Sequence, residues 1–160
     1  MEVTAINTGA VVVSAGLGDD AMLPAGKLSV VQRMVSVFRK AGIDMIVVVT
    51  KPDDKPLEKQ LSQYGVMFLR SNSHISREAS ARVGLEYLSK KCQHIFLIDT
   101  DRPLLSPATL NRMLSHEREL IVPFCKERAG KPLLFSAVGA RKALEQTKPM
   151  LDALYLPVDD

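Results

Sequence analysis

The chain contains no tryptophan, only two cysteines, and few aromatic residues of any kind (5%). No basic run exceeds the pair Lys90-Lys91, and the net charge of +3 is spread among Asp and Glu rather than gathered on one stretch. A nucleic-acid-binding domain usually shows a basic stripe and stacking aromatics, so that class is excluded on composition. No apolar run approaches the 18 residues of a spanning helix, which excludes a helical membrane protein. Cys92 and Cys125 stand in no metal or redox spacing, and residues 1–10 are too polar for a signal peptide. The expectation is a cytoplasmic protein with two free thiols.

What is present is an ordinary globular balance, 46% hydrophobic and 24% charged over 160 residues, enough for one domain with a sizeable core. Short β-branched runs alternate with helical patterns. Ala10 to Val13, "MIVVVT", "VMFLR" and "HIFLID" read as buried strands. Between the first two, Val30, Val31, Met34, Val35 and Phe38 recur at helical spacing from about Leu28 onwards, and Gly42 stops that helix. A short helix is expected over Pro56 to Tyr64, closed by Gly65. A longer one is expected from a Ser73 or Ser76 cap to about Lys90, with Ile75, Ala79, Val83 and Tyr87 sharing a face. Ser106-Pro107 marks a helix start whose Leu110, Met113 and Leu114 point inward. "ELIVPF", "KPLLFS" and a helix "VGARKALEQ" complete the pattern. Such alternation predicts an α/β fold, a Rossmann-like three-layer sandwich with a mostly parallel sheet. Five methionines (Met22, Met34, Met45, Met67, Met113) are expected in the core. His74, His94 and His116 lie in separate elements and read as surface or half-buried residues, not catalytic bases.

Ligands of such sheets bind at the carboxyl ends of the strands. That rule selects four loops: Ala15 to Lys27, Thr50 to Lys55, Arg70 to Ser76, and Asp99 to Pro103. The first carries Gly16-Leu17-Gly18-Asp19-Asp20-Ala21, which formally satisfies the dinucleotide fingerprint. That motif needs a helix opening within it, whereas Pro24 and Gly26 follow. The phosphate-loop pattern fails, because Gly26-Lys27 is followed by Leu28 and Ala21 stands where its first glycine belongs.

A third pattern fits better. "SAGLG", a gap, and "LPAGK" before a helix resemble the opening of the molybdenum cofactor nucleotidyltransferases, the cytidylyl- and guanylyltransferases of molybdopterin. In the same order follow "AGIDMIVVVT", the Asn-containing turn and Ser-rich helix start of "RSNSHISREASARVGLEYL", the D-x-P and S-P-x-T-L of "IFLIDTDRPLLSPATLNRML", and "IVPFCKERAGKPLLFS". The resemblance runs from about Gly9 to Asp160. It implies a fold of the nucleotide-diphospho-sugar transferase type. It also implies a Mg²⁺-dependent transfer of CMP or GMP from CTP or GTP to a phosphate-bearing, molybdopterin-like acceptor, with loss of pyrophosphate. On that resemblance Ala15, Gly16, Leu17 and Gly18 hold phosphate through their backbone, and Asn72 and Ser80 bind the nucleotide. Asp101 is a metal ligand, and Asp101 and Lys27 serve catalysis; Asp99, two residues earlier, shares a strand face with Asp101 if the strand runs that far and is then a second metal ligand. The protein would be a monomer or homodimer.

Two departures run against the pattern. Asp20 falls where the family carries an Arg, and the lysine of its R-M-G-x-x-K has no counterpart. At about 5 Å and an effective dielectric of about 20, each such charge is worth roughly 3 kcal/mol, so reversing one repels a triphosphate. The family's D-[IV]-D-T-P motif does not follow "YLPVDD". The sequence is therefore either a single domain or a fragment lacking the C-terminal metal motif. A second reading stands beside the enzyme: a non-catalytic domain of the same fold serving as a regulatory or ligand-binding module. Asp19 and Asp20 read either as a solvated turn or as a site for a cation or basic partner.

Overall fold

The structure is a computed structural model; it describes residues 7–14, 24–25, 28–43, 45–51, 55–70, 77–99, 106–125, 128–130, 132–145 and 151–158. In chain order the elements are β1 (Thr8–Val13), β2 (Pro24–Ala25), β3 (Leu28–Ser29), α1 (Val30–Lys40), β4 (Met45–Thr50), α2 (Lys55–Gln60), β5 (Met67–Arg70) and α3 (Arg77–Ser89). There follow β6 (His94–Asp99), α4 (Pro107–Leu114), β7 (Leu120–Cys125), β8 (Arg128–Ala129), β9 (Leu133–Ser136), α5 (Ala137–Glu145) and β10 (Ala153–Pro157).

The main sheet runs β10-β7-β9-β6-β1-β4-β5, with β8 paired to β7; β2 and β3 form a separate two-stranded piece. β1 pairs in parallel with both β4 and β6, and β4 with β5. β9 is antiparallel to both neighbours, and β10 is parallel to β7. The mostly parallel α/β fold expected from the alternation is the one observed.

Strand alternation divides the core in two. Ala10, Val12, Ile46, Val48, Phe96 and Ile98 face α1, α2 and α4, where Met34, Phe38, Leu57, Leu110 and Met113 meet them. Val11, Val13, Val47, Val49, Ile95 and Leu97 face α3 and α5, against Leu85, Leu88 and Ala140. Phe38 and Phe96 lie with ring centroids 5.7 Å apart. Such a tilted pair adds about 0.5–1.5 kcal/mol to the area it buries.

α1 begins two residues later than its apolar period suggests, because Leu28 and Ser29 are held in β3. Ser29 then caps it in a reciprocal box: its hydroxyl accepts from Gln32 N at 3.3 Å, and its own N–H donates to Gln32 Oε1 at 2.9 Å. Gly42, at φ 89, takes the left-handed position after the helix. α2 is shorter than its pattern, ending at Gln60 before turns that reach Gly65. Ser106 caps α4 with Pro107 at its first position, as read from the sequence.

Three expectations need correction. On α3 the buried residues are Ser80, Gly84, Leu85, Leu88 and Ser89; Ala79, Val83 and Tyr87 are only half-buried. A spacing of four identifies a stripe but not the side that meets the sheet. Here Gly84 decides it, because only a residue without a Cβ lets the helix settle on Val11. Met45 and Met67 are 42% and 46% exposed, so they are not core, while Met34 and Met113 are buried. His94 is buried, with 8% of its surface exposed, rather than at the surface or half-buried. β10 has no counterpart among the expected strands. It is held by Arg118, whose Nε and Nη2 donate to Asp152 Oδ2 and Oδ1 at 2.8 and 2.6 Å. Glu119, 2.6 Å from Lys142 Nζ, accepts from Asp152 N as well. The Arg118 and Lys142 partners hold both carboxyls below the usual carboxylate range.

Candidate functional site at the carboxyl edge of the sheet

From β1 the chain crosses first to β4 and β5 on one side, then returns to β6 on the other, so strand order reverses between β1 and β6. The loops selected from the sequence leave β1, β4, β5 and β6, four adjacent parallel strands, and therefore all start at one edge. Sheets of this type bind ligands at such a reversal.

Several buried polar side chains collect there. Val13 and Asp99 end their strands side by side in register. Ser14 follows Val13, its N–H donating to Val49 O at 2.9 Å, and Thr50 ends β4. Ser14, Thr50 and Asp99 are all buried, Asp99 to 1% exposure. A carboxylate is almost never that deep without a partner or a ligand, because its charged form is costly away from water.

Ser80 reaches the same place through the register of α3 on β1. Leu88 and Cys92 close on Gly9, and Gly84 closes on Val11. One further helical turn puts Ser80 over Val13, whose neighbour in β6 is Asp99. Ser80 is fully buried as the fourth residue of α3, so it is not a helix cap. The structure thus brings two of the expected site residues, Asp99 and Ser80, to the switch point on the same face of the sheet. Ala15, Gly16, Leu17, Gly18, Lys27, Asn72 and Asp101 lie outside the described residues, as do Asp19 and Asp20. β6 as described ends at Asp99, which leaves its shared face with Asp101 untested.

Ser14 and Thr50 escaped sequence reading. A hydroxyl residue at a strand end looks like the start of a turn, and burial on that scale comes only from neighbours distant in sequence. Arg70, ending β5, is a cation at this edge; Glu58 holds it at 2.8 Å on the surface. Among the described residues there is no group of three or more His, Cys, Asp or Glu that could hold a metal. The chemistry of Asp99 still suits a divalent cation, since a carboxylate offers hard oxygen donors. No helix among the described residues is long and apolar enough to cross a membrane.

Fold and switch point together define a class, the α/β nucleotidyltransferase-like domains. A family model described as the MobA-like NTP transferase domain matches residues 14–153, and the chain belongs to that family. Solved structures agree in fold. Rv0371c from Mycobacterium tuberculosis H37Rv superposes with a TM-score of 0.83 at 21% identity, covering 100% of this chain and 91% of its own. A nucleotidyl transferase from Methanothermobacter gives 0.77 at 20% identity, covering 96% and 88%. The 4-diphosphocytidyl-2C-methyl-D-erythritol synthase of Anaerococcus prevotii DSM 20548 gives 0.75 at 16%, covering 95% and 86%. Rv0371c has also been solved in complex with manganese, a match of 0.79 at 21% identity over 96% and 89% of the two chains. No curated protein matches the chain.

Proposed function

We propose that this domain transfers a nucleoside monophosphate, CMP or GMP, from its triphosphate to a phosphate-bearing acceptor of the molybdopterin type, releasing pyrophosphate. The observation that carries the reading is the burial of a carboxylate, Asp99, at the reversal between β1 and β6, with Ser80 buried on the helix that covers the same face of the sheet. The family match supports it.

The chemistry asks little covalent work of the protein. An acceptor phosphate oxygen forms a bond to the α-phosphorus, the bond to the bridging oxygen breaks, and pyrophosphate leaves with that electron pair. Positioning and charge neutralisation do the rest. Backbone N–H groups of Ala15 to Gly18 would receive phosphate oxygens, their glycines permitting close approach. Asn72 and Ser80 would orient the nucleoside. Lys27 would offset charge in a loop that otherwise carries Asp19 and Asp20. Asp99 and Asp101 would hold Mg²⁺, which when bound would neutralise the phosphates.

The departure at Asp20 favours the second reading, a ligand-binding module without turnover. Pyrophosphate release decides between them. Each of CTP, GTP, ATP and UTP is supplied with Mg²⁺ and a phosphorylated pterin acceptor, using wild type and D101A. Acceptor-dependent release with one nucleotide, lost in D101A, is the expected result. Nucleotide binding without release under any acceptor would establish the module instead.

A further inference from the structure

Residues 126–131, Lys-Glu-Arg-Ala-Gly-Lys, hold three cations against one carboxylate. The stretches 15–27 and 99–103 show the reverse, two carboxylates against one cation in each. The cationic stretch follows β7, and strand register shows where it is set.

β6 and β7 both run antiparallel to β9, so their carboxyl ends share one edge of the sheet. Phe96 and Ile121 face the same β9 residue, Leu134. Three residues further along each strand, Asp99 and Phe124 therefore stand level. Phe124 pairs with Pro157 of β10 on one side and with Ala129 of β8 on the other. With β10 on its far side, β7 carries β8 on the side towards β6, one strand spacing away, about 4.8 Å. β9 begins only at Leu133, opposite Leu97, so β8 occupies the gap beside the end of β6. Arg128, paired with Cys125, comes one residue beyond the level of Asp99. Gly130 N donates to Pro123 O at 2.8 Å, a further bond between the two arms. Asp99 thus has the end of β1 on one side and β8 on the other.

We infer that the β7–β8 hairpin is the subsite for the phosphate of the acceptor, with Arg128 its principal cation. The inference rests on the transfer reaction proposed above and gives that reaction a direction. Displacement at the α-phosphorus sets the attacking oxygen and the departing pyrophosphate in line, on opposite sides. With the nucleotide phosphates on the β1 side of Asp99, the acceptor approaches from the β8 side. It arrives as an anion, and the hairpin, unlike the stretches 15–27 and 99–103, has cations in excess. Such charge draws a phosphate in and offsets the repulsion between two phosphates brought together. An arginine fork suits a phosphate group in particular.

Fluorescence titration of the full chain, without nucleotide, tests the subsite with 6-hydroxymethylpterin and its monophosphate ester. Wild type should bind the ester at least about tenfold tighter than the alcohol. R128A should lose most of that preference and R128E should weaken the ester at least about tenfold, with the alcohol unmoved in both. Far-UV circular dichroism confirms that each variant is folded. The rise in melting temperature produced by nucleotide with Mg²⁺ should be the same in R128E as in wild type. An ester bound no better than the alcohol, or an ester affinity indifferent to R128A and R128E, would overturn the subsite. So would a nucleotide response lost in R128E, which would assign Arg128 to the triphosphate. An ester preference that follows Arg128 in a protein whose melting no nucleotide moves would refute the transfer reaction and leave the anion subsite standing.

Discussion

Gly84 of α3 lies against Val11 of β1 so closely that a Cβ would run into the valine side chain. This contact sets the height of the helix above the sheet. G84A should therefore destabilise the fold. Alanine gains about 1 kcal/mol of helix propensity, but overpacking a fixed core costs about 1–3 kcal/mol. The net loss should lower the melting temperature, by about 2–4 °C per kcal/mol for a chain of this size. Adding V11A to G84A should recover part of it. Thermal unfolding of the two variants is the check; an unchanged G84A would mean that the helix can lift without cost.

Thr50 presents the opposite situation. It is fully buried, and among the described residues its Oγ1 has no hydrogen-bond partner. An unmet buried hydroxyl costs about 1–3 kcal/mol, and valine keeps the shape and suits a central strand. T50V should be more stable than wild type by about 1 kcal/mol or more, read from the urea midpoint at constant m. A lower midpoint would show that the hydroxyl is bonded after all.

His94 makes stability depend on pH. Burial pushes its pKa below the ordinary value, with Glu117 pulling weakly the other way. The unfolded chain therefore takes up the proton first. Stability contributed by the neutral ring is complete above about pH 6.5 and falls as pH drops through that value towards the folded pKa. Glu119 and Asp152, held low by Lys142 and Arg118, lose their contribution only further down, below the ordinary carboxylate range. Urea unfolding at pH 7.5 and 5.5 should show a smaller loss for H94Q than for wild type, and equal losses would refute the assignment.

The Cys92 thiol is buried, and burial raises its pKa although Lys91 opposes the shift. Its Sγ rests 3.6 Å from Met45 Sδ. Low thiolate content and poor access both slow reaction with a disulfide reagent. Ellman labelling of C125S, which isolates this thiol, should be slow in the native protein and fast in urea. Rapid native labelling would place the thiol at the surface.

The strands β4 and β6 were legible to the residue, because a run buried on both faces is continuously apolar through its middle and ends sharply. The Ser106-Pro107 start of α4 was equally plain, since a cap is a local signal. α3 was legible as a helix but not in its orientation. Ala79, Val83 and Tyr87 look as inward as Leu85 and Leu88 until Gly84 meets Val11. β10 was invisible because its pairing with β7 and its Arg118 anchor are both non-local. At the site, Ser80 came from resemblance and Asp99 from its spacing to Asp101; the structure shows both buried, with Asp99 at the end of β6, and their roles stay proposals. Thr50 and Ser14 were hidden because burial of a polar residue depends on what covers it.

The central claim is that the carboxyl edge binds a nucleoside triphosphate with a divalent cation. Its most direct test is thermal unfolding of wild type, S80A and D101A in Mg²⁺ with CTP, GTP, ATP or UTP. A ligand at one hundred times its dissociation constant stabilises by about 2.7 kcal/mol, a rise of roughly 5–10 °C here. The account predicts such a rise with CTP or GTP, reduced in S80A and absent in D101A. Melting temperatures that no nucleotide moves would contradict it.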